Sequence, residues 1–406
     1  MWSDYEKLIN ENVLGFDSVH FLSHGSFQTD RLFSIVCIID ITAQSSFAEQ
    51  GMVKEHYVPR SYLRQFTPEN EGLISRYSLV EQHDGGDYYP PKDRYSINKA
   101  AASEGFADGW FENDETAHAE NEMIEALRKI IACEPLLPDD VGRLSQFIAF
   151  QHSRTPQSKL HFDARQRLED LVEGKPERVP EHYEDDWLDT LYYNANEGHE
   201  TLQYMGWRIV ENSTDTPFIT SDKPVIHYFE QDFEEVTSTN QDLHGREIFC
   251  PLDPDHLLLV LDPEVFHVDQ QFPNTEIERV TISERSEVHK LNMLQGVSAF
   301  QEVFGPVGYG DLLERTIQAL CDAFPHEDFI RGNRSDLETM ETAMEFGSGM
   351  ATMEDVGVYL EKYKPLIDSR RLKSHAIWAF SHNISIVEEL RRDDPREGYW
   401  GSLTVD

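Results

Sequence analysis

Apolar residues recur three and four positions apart over two consecutive stretches, a spacing that predicts a pair of helices. The first covers 115–133, with Ile124, Leu127 and Ile131 on one face. The second covers 138–154 and carries Val141, Leu144 and Ile148 in series, with Asp139 and Asp140 at its start and Pro156 just past its end. Two further helices are predicted over 158–173 and 185–197. Then the period changes. Short runs rich in β-branched and aromatic residues at 201–211, 217–219, 225–229, 247–250, 256–261 and 278–282 are separated by Asp, Pro and Ser turns. A helix over 284–304, with Leu291, Leu294, Val297 and Phe300, closes this block. Upstream of the first helix, 73–80 reads as a strand and 82–99 as a Gly/Pro/Asp-rich loop. Past about 326 the pattern is again helical, with a break at Gly347-Ser348-Gly349 and one or two helices over 370–392. The fold class is α+β: an N-terminal helical part, then a mainly antiparallel β-sheet, with an extra C-terminal helical segment. No repeat of fixed period is visible.

Charge changes this picture more than composition does. The formal net charge of the 406 residues is -40, and twelve lysines stand against twenty-three arginines. We read this as adaptation to high salt, where dense carboxylates stay hydrated and their repulsion is screened. An ordinary acidic protein or a disordered acidic tail are the alternatives. Against disorder, 39% of residues are hydrophobic and the acidic residues run along the whole chain. Such a charge argues against non-specific nucleic-acid or membrane-surface binding, which needs a positive field, but leaves room for a local basic pocket. The cysteines at 37, 133, 250 and 321 are far apart and form no zinc spacing, as expected for free thiols in a reducing cytoplasm. The most apolar run, 33–43, is too short to span a bilayer and is interrupted by Asp40. No secretory signal is visible at the N-terminus. A cytoplasmic protein with no membrane partner is the expectation.

Against this background the segment 54–66 stands out, concentrating His56, Arg60, Arg64 and the aromatics Tyr57, Tyr62 and Phe66 around Pro59. From 52 to 102 seven acidic residues meet seven basic ones, so the segment is an island of relative positive potential. Further motifs follow in order: Glu120 seven residues before Leu127, then Phe147-Ile148-Ala149-Phe150-Gln151 with Arg154-Thr155-Pro156. Trp207 leads to Phe218-Ile219-Thr220-Ser221-Asp222-Lys223-Pro224, and Pro251-Leu252-Asp253-Pro254 and Leu291-Asn292 end the series. In this order they resemble the DUF4238 family, an acidic member of haloarchaeal type, over about 52–318. The resemblance implies a family without implying a reaction. Two positions depart from it. Family members often carry a second histidine at the place of Glu55 and glutamine at the place of Arg60. The chain then divides into 1–51, unmatched; 52–325, a DUF4238-like α+β domain; and 326–406, an acidic helical extension. Met52 is a sensible initiator, so 1–51 reads either as an over-extended gene start, which we favour, or as a real extension with a strand over 32–42.

Several residues in these motifs could carry chemistry. Proline disfavours helical backbone before it, so His56 lies on extended or loop chain, free to act as general base or metal ligand, or else to bond a backbone carbonyl. Glu120 falls on the apolar face of its helix, where a carboxylate needs a partner or a task, and Gln151 continues the apolar series of the next helix. Arg154, with Arg60 and Arg64, could hold a phosphate or carboxylate; near a helix C-terminus it could equally form an ion pair. Ser221 and Asp222 precede Lys223-Pro224 in a turn, as ligand contact and catalytic acid or as a side-chain-capped turn. His56, Glu120 and Asp222 together offer nitrogen and oxygen donors for a divalent metal ion. No Walker loop, dinucleotide fingerprint, HExxH or Gly-x-Ser-x-Gly elbow is present. The expectation is a phosphodiester-hydrolysing, nuclease-like enzyme, a candidate defence effector, with His56, Glu120, Gln151 and Asp222 as catalytic groups. Arg60, Arg64, Arg154 and Ser221 would bind a nucleic acid or nucleotide in the basic pocket. The rival is a non-catalytic binding module for an anionic ligand or protein partner. In a third reading the core regulates something bound by the C-terminal helices.

Overall fold

A computed structural model describes residues 54–67, 72–80, 89–104, 106–107, 110–159, 162, 166, 170, 180–229, 245–269, 276–323 and 384–391. The predicted extension at 1–51, most of the helix at 158–173 and most of the C-terminal helices lie outside these residues. The elements are β1 (Lys54–His56), α1 (Arg60–Leu63), β2 (Leu73–Ser78), β3 (Lys92–Ser96), β4 (Ala102–Glu104), α2 (Asp114–Ile131), α3 (Pro138–Ser153) and α4 (Pro180–Gln203). After these come β5 (Gly206–Asn212), β6 (Thr220–Ser221), β7 (Ile226–Phe229), β8 (Arg246–Pro251), β9 (His256–Leu261), β10 (Glu278–Ile282), α5 (Arg285–Ser298), β11 (Glu302–Gly305), α6 (Gly310–Ala323) and α7 (Ser385–Leu390).

The class is α+β, but the expected order of a helical part before a sheet is corrected: helices and strands interleave. Four strands precede α2, and β11 lies between α5 and α6. Among the described residues the strands form three sheets: β1-β4, β10-β5-β9-β8-β7, and β3-β2-β11-β6. Every pairing is antiparallel except β10 with β5, which is parallel.

The five-stranded sheet is buried on both faces, and strand alternation sorts its residues. Trp207, Ile209, Ile248, Cys250, Leu258 and Val260 join the core beneath α2, α3 and α4. Val210, Phe249, Leu257, Leu259 and Leu261 join a second core with Val288, Leu291 and Leu294 of α5 and Ile386 and Val387 of α7. A third core lies under α6.

Local chemistry fixes the helix starts. At α2 the Asn113 side chain accepts from Thr116 N at 2.7 Å, capping the free N–H groups. At α3, Pro138 occupies the first turn, and Asp140 accepts from Leu137 N and from Lys129 Nζ, both at 2.8 Å. Burial pushes the Asp140 carboxyl up, but the bonds from Lys129 and Leu137 outweigh it and hold it below its ordinary value. That carboxylate ties the end of α2 to the start of α3.

Candidate functional site

Glu55 on β1 is buried, and its carboxylate accepts from Ala107 N at 2.6 Å and Phe111 N at 3.2 Å. Those bonds organise the 3-10 turn Trp110–Glu112 beside β1. The turn in turn presents Glu112 to His56. Glu112 Oε1 accepts from the His56 backbone N at 3.1 Å and lies 2.8 Å from His56 Nδ1, while Oε2 accepts from Arg60 at 2.9 Å. Burial pushes the Glu112 carboxyl up, yet the two His56 bonds and the charges of His56 and Arg60 leave it below its ordinary value. Against a carboxylate, the proton of a neutral His56 belongs on Nδ1. The lone pair is then on Nε2, which is buried with no hydrogen-bond partner among the described residues.

The backbone carbonyls of His56 and Tyr57 are pinned from the C-terminal end of α3. Gln151 Nε2 donates to Tyr57 O at 2.9 Å, and Arg154 donates to His56 O. The proline at 59 keeps this chain extended, so its carbonyls point at side chains rather than into a helix. Arg154 is 1% exposed. Its guanidinium also donates to Glu120, and it lies 3.8 Å over the Phe111 ring and 5.5 Å from that of Phe150. Arg154 is thus the internal partner that the buried face of α2 demands of Glu120. The anion clamp expected at Arg154 is an ion pair inside the fold.

Arg60 and Arg64 are both exposed, four positions apart across α1 and the 3-10 turn Arg64–Phe66 that continues it. Arg60 stands beside the His56–Glu112 pair through its bond to Glu112, and Arg64 follows one turn on.

Ser221 and Asp222 bond none of these residues. Asp222 accepts from Phe300 N, Gln301 N and Glu302 N at 2.8, 2.7 and 3.2 Å. Ser221 Oγ donates to Gln295 at 2.9 Å and accepts from Lys223 N at 3.2 Å. Together they fasten the β6–β7 turn to the end of α5 and the start of β11. Among the described residues, no group of three or more His, Cys, Asp or Glu could hold a metal ion, so His56, Glu120 and Asp222 do not form one.

Five of the expected residues therefore converge: His56, Arg60, Glu120, Gln151 and Arg154. Sequence reasoning missed Glu112. It lies in the Trp110-Phe111-Glu112 triplet ahead of the α2 cap, where no periodicity marks an acidic residue as inward-facing.

A family model described as "Protein of unknown function (DUF4238)" matches residues 54–306. No curated protein and no solved structure matches the chain.

Proposed function

The chain belongs to the DUF4238 family, and we propose that it is a phosphodiester-hydrolysing enzyme in which His56, oriented by Glu112, is the general base. The observation that carries this reading is a carboxylate on Nδ1 with a buried, unpartnered Nε2 on the same ring. Nε2 takes a proton from the attacking water, and Glu112 stabilises the imidazolium that forms. Arg60 and Arg64 draw a nucleotide or nucleic acid to the rim of the site and bind its phosphates. Arg154, Glu120 and Gln151 hold the carbonyls of residues 56 and 57 and so set the direction of the imidazole. His56 is only 5% exposed, so substrate reaches Nε2 through local opening of the Arg60–Glu112 rim.

The test is hydrolysis of RNA, DNA and nucleotides by wild type, His56→Ala and Glu112→Gln. It is run with magnesium and with chelator, so that a divalent cofactor shows itself. Low and molar KCl are compared, because we infer from the charge of -40 that the protein works at high salt. Loss of the general base lowers the rate by about 10²–10⁴-fold. Equal rates from all three folded proteins overturn the proposal.

The second reading, a non-catalytic binder of an anionic ligand, draws support from the closed Arg154–Glu120 pair and the exposed Arg60 and Arg64. It expects nucleotide binding that survives His56→Ala and is lost in Arg60→Ala with Arg64→Ala.

A further inference from the structure

A second candidate site has none of the expected catalytic residues in its lining. Between the 3-10 turn after α1, the 214–217 loop after β5, the 254–255 turn and the 306–309 loop lies an open cavity of about 440 Å³. Pro217, Pro254 and Pro306 wall it, with the rings of Phe66 and Tyr309. Among the described residues, its only charged lining residues are Asp215 and Asp255.

The walls are preformed. Asn212 donates from its backbone N to Asp255 O at 2.8 Å and from its side chain to Thr216 O at 2.7 Å. Phe218 N donates to Pro254 O at 2.8 Å, and Tyr309 N is held by Ser75 Oγ at 3.2 Å. Three prolines add chain stiffness. A ligand here meets a surface that is already ordered, which lowers the entropic cost of binding.

The two carboxylates differ. Asp215 pairs with Arg285. Asp255 has no side-chain partner among the described residues. Asp255 is solvent-exposed; partial desolvation, then repulsion from Asp253, raises its carboxyl above the ordinary value, against a smaller opposing pull from His256. A cation beside Asp255 favours its charged form and so opposes the repulsion from Asp253.

We propose that this groove binds an arginine side chain of a basic peptide segment, its guanidinium on Asp255 and its stem on the three prolines and Tyr309. A guanidinium matches a carboxylate in a two-pronged fork and stacks on an aromatic face, which an ammonium does less well. A cavity of about 150 Å³ admits a benzene ring, so this one takes an arginine and part of its neighbours. Charge complementarity therefore selects the occupant, and the size selects a peptide over a lone ion.

The full chain is titrated with labelled acetyl-Gly-Ala-Arg-Ala-Gly-amide and with its lysine and citrulline counterparts, following fluorescence anisotropy in about 0.15 M salt to suppress long-range attraction. Spermine is the free-amine competitor. Asp255→Asn and Tyr309→Ala are compared with Glu200→Gln, an exposed acid at the far end of α4. All four proteins are checked for equal melting temperature. The arginine peptide binds about tenfold more tightly than the citrulline one, as befits one charge-assisted contact. Asp255→Asn removes that difference, Tyr309→Ala weakens binding several-fold, and Glu200→Gln changes nothing. Equal weakening by Asp255→Asn and Glu200→Gln overturns the proposal in favour of diffuse attraction to an acidic protein. No discrimination against citrulline also overturns it. Spermine binding that depends on Asp255, with none by the peptides, overturns the peptide as occupant.

Discussion

Arg154 and Glu120 are the residues whose meaning changed most between chain and fold. Glu120 is a charged group on an apolar helix face, Arg154 a buried cation just past a helix end, and each is explained by the other. Removing one partner of a buried pair leaves an uncompensated charge, so Arg154→Ala costs about 3–5 kcal/mol, measured by urea unfolding. Replacing both, Arg154→Met with Glu120→Leu, recovers most of that loss. His56 then keeps its Glu112 bond but loses the brace on its carbonyl. Glu112 supplies a prediction in pH. Its folded carboxyl titrates below the unfolded one, near the ordinary glutamate value of about 4.3. A depressed folded value contributes stability above the unfolded value, and that contribution disappears as pH falls through the folded one. Urea midpoints of wild type and Glu112→Gln should therefore differ above about pH 5 and converge toward about pH 3. A constant difference over that range would remove Glu112 as the ionised partner of His56.

At the scale of elements, the helices of the α2–α3 hairpin were legible because three apolar residues repeat on one face of each, and Asp139 and Asp140 mark the start of the second. Observed bounds of Asp114–Ile131 and Pro138–Ser153 lie within two residues of those expected. Strands β9 and β10 were equally plain, each a short β-rich run between turns. The predicted helix over 284–304 is instead α5 followed by β11. Its apolar spacing continues through Phe300, but Ala299 leaves helical backbone with ψ 141°. The N–H groups of 300, 301 and 302 then bond to Asp222, seventy-eight to eighty positions earlier in the chain. That long-range carboxylate, invisible to local periodicity, ends the helix and starts the strand. Asp222→Ala frees two buried N–H groups and one partly buried one at once and costs about 3 kcal/mol, against about 1 kcal/mol for Ser221→Ala. Thermal unfolding of the two variants checks the ranking. Similar melting temperatures would mean that the turn is held by something else.

At the scale of the whole molecule, the C-terminal region reaches back into the domain matched by the family. Ile384 and Val387 are 0% exposed in the second core, and Ser385 N donates to Glu287 at 2.7 Å. His267 N donates to Leu390 O at 2.6 Å, and Arg391 pairs with the buried Glu247 at 3.3 Å. Residues 384–391 thus cover the face of the five-stranded sheet that α5 leaves open. Ile384→Ala should lower the stability of the main unfolding transition by about 2–5 kcal/mol, as for any buried isoleucine. An unchanged main transition in urea would place α7 in a separate unit. Among the described residues no helix is long and apolar enough to cross a membrane.

The sequence by itself determined the family, the class, the main helices and the strands of the large sheet, because these depend on local spacing and ordered motifs. It also pointed to His56, Arg60, Glu120, Gln151 and Arg154, which cluster because Gln151 and Arg154 bond the motif backbone, Glu120 bonds Arg154, and Glu112 joins Arg60 to His56. Only the tertiary structure decided which polar groups satisfy one another. Burial makes an unpaired charge costly, so each inward-facing ion takes whatever partner the packing supplies, at any distance along the chain. That selection gave Arg154 to Glu120, Asp222 to a backbone turn and Glu112 to His56.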